Sequence, residues 1–161
     1  MFGLDDPKAQ QSVCSYRLVL AFNRDEFYAR PAKPAAFWSE NDSIIGGRDM
    51  TPGKEGGTWL AMSKTGRLAF LLNIRNPDTI VDPEARGRGS LVSDFVKGSQ
   101  SGAEYLEGVA KDGGQYNGFN LLTADLSKQD EVEVGLNKFG TKNNTLVKIK
   151  EILCDFFHPH T

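Results

Sequence analysis

The stretch Thr58–Ile74, TWLAMSKTGRLAFLLNI, contains two short apolar runs separated by the polar sequence Lys64–Gly66. Both runs are rich in residues that favour strands. A short connection containing glycine between two such runs is typical of a β-hairpin. We therefore predict strands over 58–63 and 67–74, joined by a tight turn.

Further strand signals precede this hairpin. The apolar segment Ser15–Phe22 (SYRLVLAF) predicts a largely buried strand, and Ile44–Asp49 predicts a short strand that enters a turn. The intervening residues 29–42 contain Pro31 and Pro34, which cannot donate backbone hydrogen bonds. We therefore predict an ordered loop over 29–42.

Helix signals follow the hairpin. Ser90 can cap a helix that begins LVSDFV, and Ser101–Glu104 has the spacing of a capping box before a second helix. Phe119–Leu126 returns to a strand pattern, and apolar residues at helical spacing predict a helix over 145–157. The order of these elements indicates an α+β fold with an antiparallel sheet and helices packed on one face.

Composition excludes several function classes. The chain has 161 residues, a net charge of −2 and no block of Lys or Arg longer than two, so one domain that does not bind nucleic acid is expected. No apolar run approaches the roughly 20 residues of a membrane helix. The polar, acidic N-terminus differs from a signal peptide, which indicates an intracellular protein. Cys154, His158 and His160 lack the spacing of a zinc site, so no metal site is predicted.

A compact polar cluster, Asn23–Glu26 (NRDE), follows the first predicted strand directly. Such a cluster either pins a loop through an arginine–carboxylate pair or faces a ligand. Other polar residues also stand at predicted strand ends, where rigid sheets position binding sites. Converging guanidinium groups there would form a pocket for a carboxylate or a phosphate. The ligand-binding hypothesis comprises Asn23, Arg24, Asp25, Glu26, Arg48, Asn73 and Arg75.

Two glycine-containing segments give weaker indications of a binding site. Gly53–Gly57 is followed by a strand, so it lacks the helix of a phosphate-binding loop and predicts a flexible turn. The segment 86–89 (RGRG) predicts a turn whose arginines meet solvent or acidic side chains.

Four collinear blocks resemble the NRDE family, also called the transport and Golgi organisation 2 family. They are Ala21–Trp38, Gly46–Pro77, Arg86–Phe95 and Tyr116–Leu126. No resemblance is evident from about residue 131 onward. The chain is therefore expected to comprise a loose N-terminal arm over 1–13, an NRDE domain core over 14–126 and a divergent tail over 127–161.

The resemblance implies a fold similar to the N-terminal-nucleophile hydrolases, with stacked, mostly antiparallel sheets and packed helices. It also implies roles in Golgi organisation and protein secretion, and in haem or lipid (acyl-CoA) homeostasis. Haem or an acyl-type small ligand is then the expected cargo, with no required cofactor and with protein partners unspecified. The expected location is the cytoplasm, with Golgi and mitochondrial association.

The chain departs from the family pattern at its start. Members usually open Met-Cys, whereas this chain opens Met1-Phe2-Gly3. Cys14 stands one strand later than the family cysteine, a displacement of roughly 15–20 Å, so it is not expected to act as the nucleophile. We therefore expect a truncated or alternatively spliced form, incomplete at both ends and without a catalytic residue.

Two alternative functions remain open at this point. One is an N-terminal-nucleophile cysteine amidase, or its inactive descendant, which requires a mature terminal Cys, Ser or Thr. The other is a structural adaptor that binds no small ligand.

Overall fold

The computed structural model describes residues 18–74, 81–127, 133–139 and 146–149. The described strands form one antiparallel sheet in which every strand pairs with its neighbour in the chain. The fold is therefore α+β, as the sequence predicted. The strands are β1 (Ala32–Trp38), β2 (Asn41–Asp49), β3 (Leu60–Ser63), β4 (Arg67–Asn73), β5 (Phe119–Asp125), β6 (Glu133–Phe139) and β7 (Leu146–Ile149).

The predicted hairpin is confirmed. Strand β3 pairs with β4, with Ala61 opposite Ala69. The turn residue Gly66 has a φ of +89°, and a Cβ there would lie 2.9 Å from the backbone nitrogen of Ser127. Glycine is therefore required both by the backbone conformation and by the close approach of another segment.

Two helices, α1 (Gly89–Lys97) and α2 (Gly102–Lys111), pack on one face of this sheet, as predicted. A short 3-10 helix, Gly113–Gln115, follows α2. The predicted capping box is present, because Ser101 and Glu104 exchange side-chain and backbone hydrogen bonds. The first helix begins two residues earlier than expected, with Arg88 at the N-cap position in place of Ser90.

The core lies between the helices and the sheet face that they cover. Its largest fully buried side chains come from α1, α2, β2 and β5: Phe95, Phe119, Ile44, Leu106 and Leu121. Burying apolar side chains of this size supplies most of the stabilisation of a small domain. The helices are thereby fixed over β4 and β5, which form the middle of the described sheet.

Arg67, at the start of β4, attaches the end of α1 to the sheet. Its side chain is buried, and it donates hydrogen bonds to the carbonyl oxygens of Phe95 (3.0 Å) and Gln100 (2.7 Å). Its guanidinium carbon also lies 4.0 Å from the centre of the Phe95 ring. A cation at the C-terminal end of a helix is favourable because the last carbonyl groups carry partial negative charge.

The strand predicted over Ser15–Phe22 is wrong for its described part, because residues 18–22 belong to no strand. These residues instead cross the sheet face that the helices leave uncovered. Leu18 packs against Leu68 and Ala124, and Phe22 makes an edge-to-face contact with Phe70. The apolar pattern therefore reflects packing on a sheet without backbone pairing to it.

The loop predicted over 29–42 is also wrong in part, because β1 occupies 32–38 and pairs with β2. Pro34 is accommodated because β1 lies at the edge of the sheet and its register shifts between Lys33 and Ala36. The helix predicted over 145–157 is contradicted at its start, where β7 pairs with β6. Residues 150–157 lie outside the described part of the chain, as do those of the N-terminal arm.

The sheet face opposite the helices remains partly exposed. Cross-strand partners Phe37, Ile45 and Met62 are 56%, 40% and 37% exposed. Leu72, further along the same face, is 41% exposed. Among the described residues, no helix has the length and apolar character needed to cross a membrane.

Replacing Arg67 with Met should lower the free energy of unfolding by about 2–3 kcal/mol, because two buried carbonyl groups lose charged donors. The control Arg86→Met removes an exposed arginine and should change it by less than about 0.5 kcal/mol. Urea unfolding monitored by circular dichroism measures both values. Equal stability of the two variants would contradict the role assigned to Arg67.

Candidate functional site

A cavity of about 680 Å³ opens at one edge of the sheet. Strands β2 and β4 end at this edge, β3 and β5 begin there, and α1 starts beside it. Charged residues from these strand ends and from the chain before β1 line the cavity. It contains six of the seven residues of the ligand-binding hypothesis: Asn23, Arg24, Asp25, Glu26, Arg48 and Asn73.

The NRDE turn forms one wall of this cavity. Arg24 lies over the indole of Trp59, with its guanidinium carbon 4.5 Å from the ring centre. Space for this indole comes from Gly47, because a Cβ at that position would lie 2.5 Å from Trp59 Cζ2. The turn is therefore in direct contact with the 58–74 hairpin.

Arg30 holds the turn against β2. It donates to Glu26 (Nη1 to Oε2, 3.1 Å) and to Asp49 (Nη2 to Oδ2, 2.6 Å). Asp49 Oδ1 also accepts from the backbone N–H and the hydroxyl of Thr51. The hydrogen bond to Asp49 raises the pKa of Arg30 above its usual range. Burial alone would raise the pKa of Asp49, but the hydrogen bonds from Arg30 and Thr51 outweigh it and lower the pKa.

Arg48 comes from the end of β2 and lines the cavity. Its Nη2 forms an ion pair with Glu40 at 2.6 Å, and its guanidinium carbon lies 4.1 Å from the centre of the Trp38 ring. The Nη1 atom is buried and has no hydrogen-bond partner among the described residues. Gly56 leaves room for this side chain, because a Cβ there would lie 2.8 Å from Nη2.

Arg88 lies at the opposite wall, where α1 begins. Its Nη1 donates to the carbonyl oxygens of Asn117 (3.4 Å) and Gly118 (2.8 Å). Burial, and to a smaller extent the positive charge of Arg30, lowers the pKa of Arg88 below its ordinary value. The segment 86–89 therefore contributes both of its arginines to the cavity lining, and Arg88 is partly buried there, whereas the sequence predicted a turn with arginines facing solvent or acids.

The sequence located most of this site but missed three of its arginines, Arg30, Arg86 and Arg88. Arg75, the seventh residue of the hypothesis, lies outside the described part of the chain. Arg30 carried a usable signal, since it stands four residues after Glu26, whereas nothing local to Arg88 indicated burial. That these residues bind a ligand stays a prediction. Among the described residues, no group of His, Cys, Asp and Glu is placed to hold a metal ion.

Fold and cavity together define an α+β protein with an arginine-rich cavity at one edge of an antiparallel sheet. Sequence comparison then identifies the family: the model of the Transport and Golgi organisation 2 family matches residues 6–154. The chain belongs to this family. The match also extends beyond residue 131, where the sequence analysis found no resemblance, so that part of the analysis is wrong.

Individual relatives carry the same family name. The chain is similar to the human Transport and Golgi organization protein 2 homolog, with 53% identity over 113 residues, which cover 70% of this chain and 40% of that protein. It is 38% identical over 122 residues to Transport and Golgi organization protein 2 of Drosophila melanogaster, covering 72% and 42%. An uncharacterized protein of Saccharomyces cerevisiae is 32% identical over 124 residues, covering 71% and 39%. The chain thus spans about 40% of the length of these relatives.

The Arg30–Asp49 pair should make the cavity wall sensitive to acid. Because the pKa of folded Asp49 lies below its ordinary value of 3.8, its contribution to stability is fully present above that pH. The contribution is lost as the pH falls through the lowered pKa. We expect Arg30→Met to cost about 1–2 kcal/mol at pH 6 and the difference from the unmodified chain to shrink towards pH 3.

Urea unfolding at several pH values between 6 and 3 measures this difference. Comparison between the two proteins removes the contributions of other carboxylates, such as Glu40 and Glu104, whose pKa values are also lowered. Arg86→Met serves as the control and should follow the unmodified chain at every pH. A difference that stays constant between pH 6 and pH 3 would show that Asp49 does not depend on Arg30.

Proposed function

We propose that the protein acts without catalysis in transport and Golgi organisation, by binding a small anionic ligand in the arginine-rich cavity. The family and the names of the relatives support the general role. The observation that supports an anionic ligand is that several arginines line one cavity, including Arg24, Arg30, Arg48 and Arg88. Guanidinium groups pair well with carboxylates and phosphates, which makes an anionic ligand the best fit.

The proposed ligand is haem or an acyl-type molecule such as an acyl-CoA. Both combine acidic groups with a large apolar part, and the cavity offers surfaces for each. Phe22, Trp59 and Leu72 contribute apolar surface beside the arginines. A volume of about 680 Å³ is also within the range of small-molecule sites. The protein would then act as a carrier or chaperone in the cytoplasm, with access to Golgi and mitochondrial surfaces.

We further propose that the sheet is one layer of a fold like that of the N-terminal-nucleophile hydrolases. Support comes from the exposed apolar face opposite the helices, because an antiparallel sheet with two apolar faces usually has layers on both sides. Phe37, Ile45 and Met62 would then contact a second layer. In such a fold the cavity would stand where the related amidases bind substrate.

Binding titrations test the carrier function. Haemin, followed by its absorbance, and palmitoyl-CoA, followed by calorimetry, are titrated into the purified chain. We expect saturable binding of at least one probe with one-to-one stoichiometry, weakened about tenfold in Arg24→Ala because a charged contact is lost. Lys111→Ala, an exposed site on α2 outside the cavity, is the matched control and should bind like the unmodified chain.

Each competing function gives a different result. An adaptor without a ligand predicts no saturable binding of either probe. An amidase requires processing to a terminal Cys, Ser or Thr, and intact-mass measurement of the chain purified from its native cells detects such processing. Binding that is equally strong in Arg24→Ala and Lys111→Ala would show that the ligand does not bind in this cavity.

A further inference from the structure

The cavity contains a partly buried cation that has no carboxylate partner among the described residues. Arg88 contacts two backbone carbonyl groups, whereas Arg30 and Arg48 each form ion pairs with acidic side chains. Burial lowers the pKa of Arg88, and the charged group that also lowers it is another cation, Arg30. Removing a charge from water without a counterion is costly, so an anion beside Arg88 would be stabilised.

The rest of the cavity does not neutralise this charge. Seven basic and five acidic side chains line it. Two of the acidic side chains, Glu26 and Asp49, already form ion pairs with Arg30. The buried Nη1 of Arg48 is a second guanidinium donor without a partner among the described residues. The cavity therefore has an excess of positive charge and of unused donors.

Backbone donors lie beside Arg88. The first turn of α1 starts at the next residue, and it contains neither an acidic side chain nor a side-chain cap. Gly89 packs directly against the backbone of Gly57, because a Cβ there would lie 2.9 Å from Gly57 Cα. Ser90 is exposed and lines the cavity. The N–H of Leu91 already donates to the carbonyl oxygen of Arg88, so the N–H groups of Gly89 and Ser90 are the ones in this turn that add to the guanidinium donors.

We propose that the cavity binds a phosphate-bearing ligand, with the phosphate held by Arg88 and by the N–H groups of the first turn of α1. A carboxylate has two oxygens in one plane, whereas a phosphate offers at least three around a tetrahedral centre. Donors from a guanidinium group and from a helix start approach from different directions, which suits the tetrahedral anion. A double negative charge also balances the excess of two basic side chains. This inference rests on the proposed ligand-binding function and narrows it to phosphorylated ligands.

A substitution at Ser90 separates ligand binding from a purely structural role. Ser90→Glu places a carboxylate in the first turn of α1, where it occupies the anion position from within the chain. We expect Ser90→Glu to raise the melting temperature without added anions and to weaken binding of inorganic pyrophosphate at least about tenfold. The isosteric Ser90→Gln, which lacks the charge, should bind pyrophosphate like the unmodified chain.

A second pair of variants tests Arg88 directly. Arg88→Gln should weaken pyrophosphate binding at least about tenfold, and Lys111→Gln, an exposed site on α2 outside the cavity, should change it less than about threefold. Calorimetric titration with pyrophosphate measures both effects, and titration with succinate tests whether a dicarboxylate binds as well. If Arg88→Gln does not fold, the Ser90 pair still decides the question.

The possible outcomes either support or overturn the inference. Preference for pyrophosphate over succinate, lost in Ser90→Glu and kept in Ser90→Gln, supports it. Absence of pyrophosphate binding at millimolar concentration, equal binding of succinate, or unchanged binding in Ser90→Glu overturns it. Haemin binding that depends on Arg24 but is not displaced by pyrophosphate would overturn the phosphate site while leaving the proposed carrier function intact.

Discussion

The two ion pairs of Arg30 are the contact on which the cavity depends. The NRDE turn belongs to no strand or helix, so no ladder of backbone hydrogen bonds fixes its position. Arg30 joins Glu26 of this turn to Asp49 at the end of β2, through two hydrogen bonds from one guanidinium group. A rigid planar group that bridges two carboxylates holds both at a defined separation. The wall formed by the turn is thereby coupled to the sheet.

Local signals predicted the elements that depend on local interactions. The hairpin around Gly66 and the capping box at Ser101 are formed by residues three or four positions apart, and both are present. Elements whose state depends on distant partners were predicted less well. Residues 18–22 have the composition of a strand but pack on the sheet without pairing. The proline-containing segment 32–38 pairs because its neighbour β2 offers an edge, which local sequence does not reveal.

The same distinction applies to the site. Residues at strand ends could be grouped from sequence because antiparallel neighbours begin and end at a common edge, and Arg24, Arg48 and Asn73 do line one cavity. Arg30 and Arg88 were missed because the contacts that define their roles are remote. Arg30 pairs with Asp49, 19 positions away, and Arg88 bonds to carbonyl groups 29 and 30 positions away. Position along the chain therefore indicated where charges meet but not which of them are already neutralised.

Neutralisation is what distinguishes a binding cavity from a structural ion-pair network. In a network formed only for stability, each buried cation has a carboxylate, because an unpaired buried charge costs free energy. Arg30 fits this description, whereas Arg88 has no carboxylate partner among the described residues; Arg48 is paired with Glu40 but keeps one buried nitrogen, Nη1, without a partner there. The unliganded fold bears the free-energy cost of burying a positive charge without a counterion. Binding of an anion removes this cost, which stabilises the bound state. The cavity therefore combines a rigid part, built around Arg30, with an uncompensated part in which the fold itself favours a negatively charged ligand.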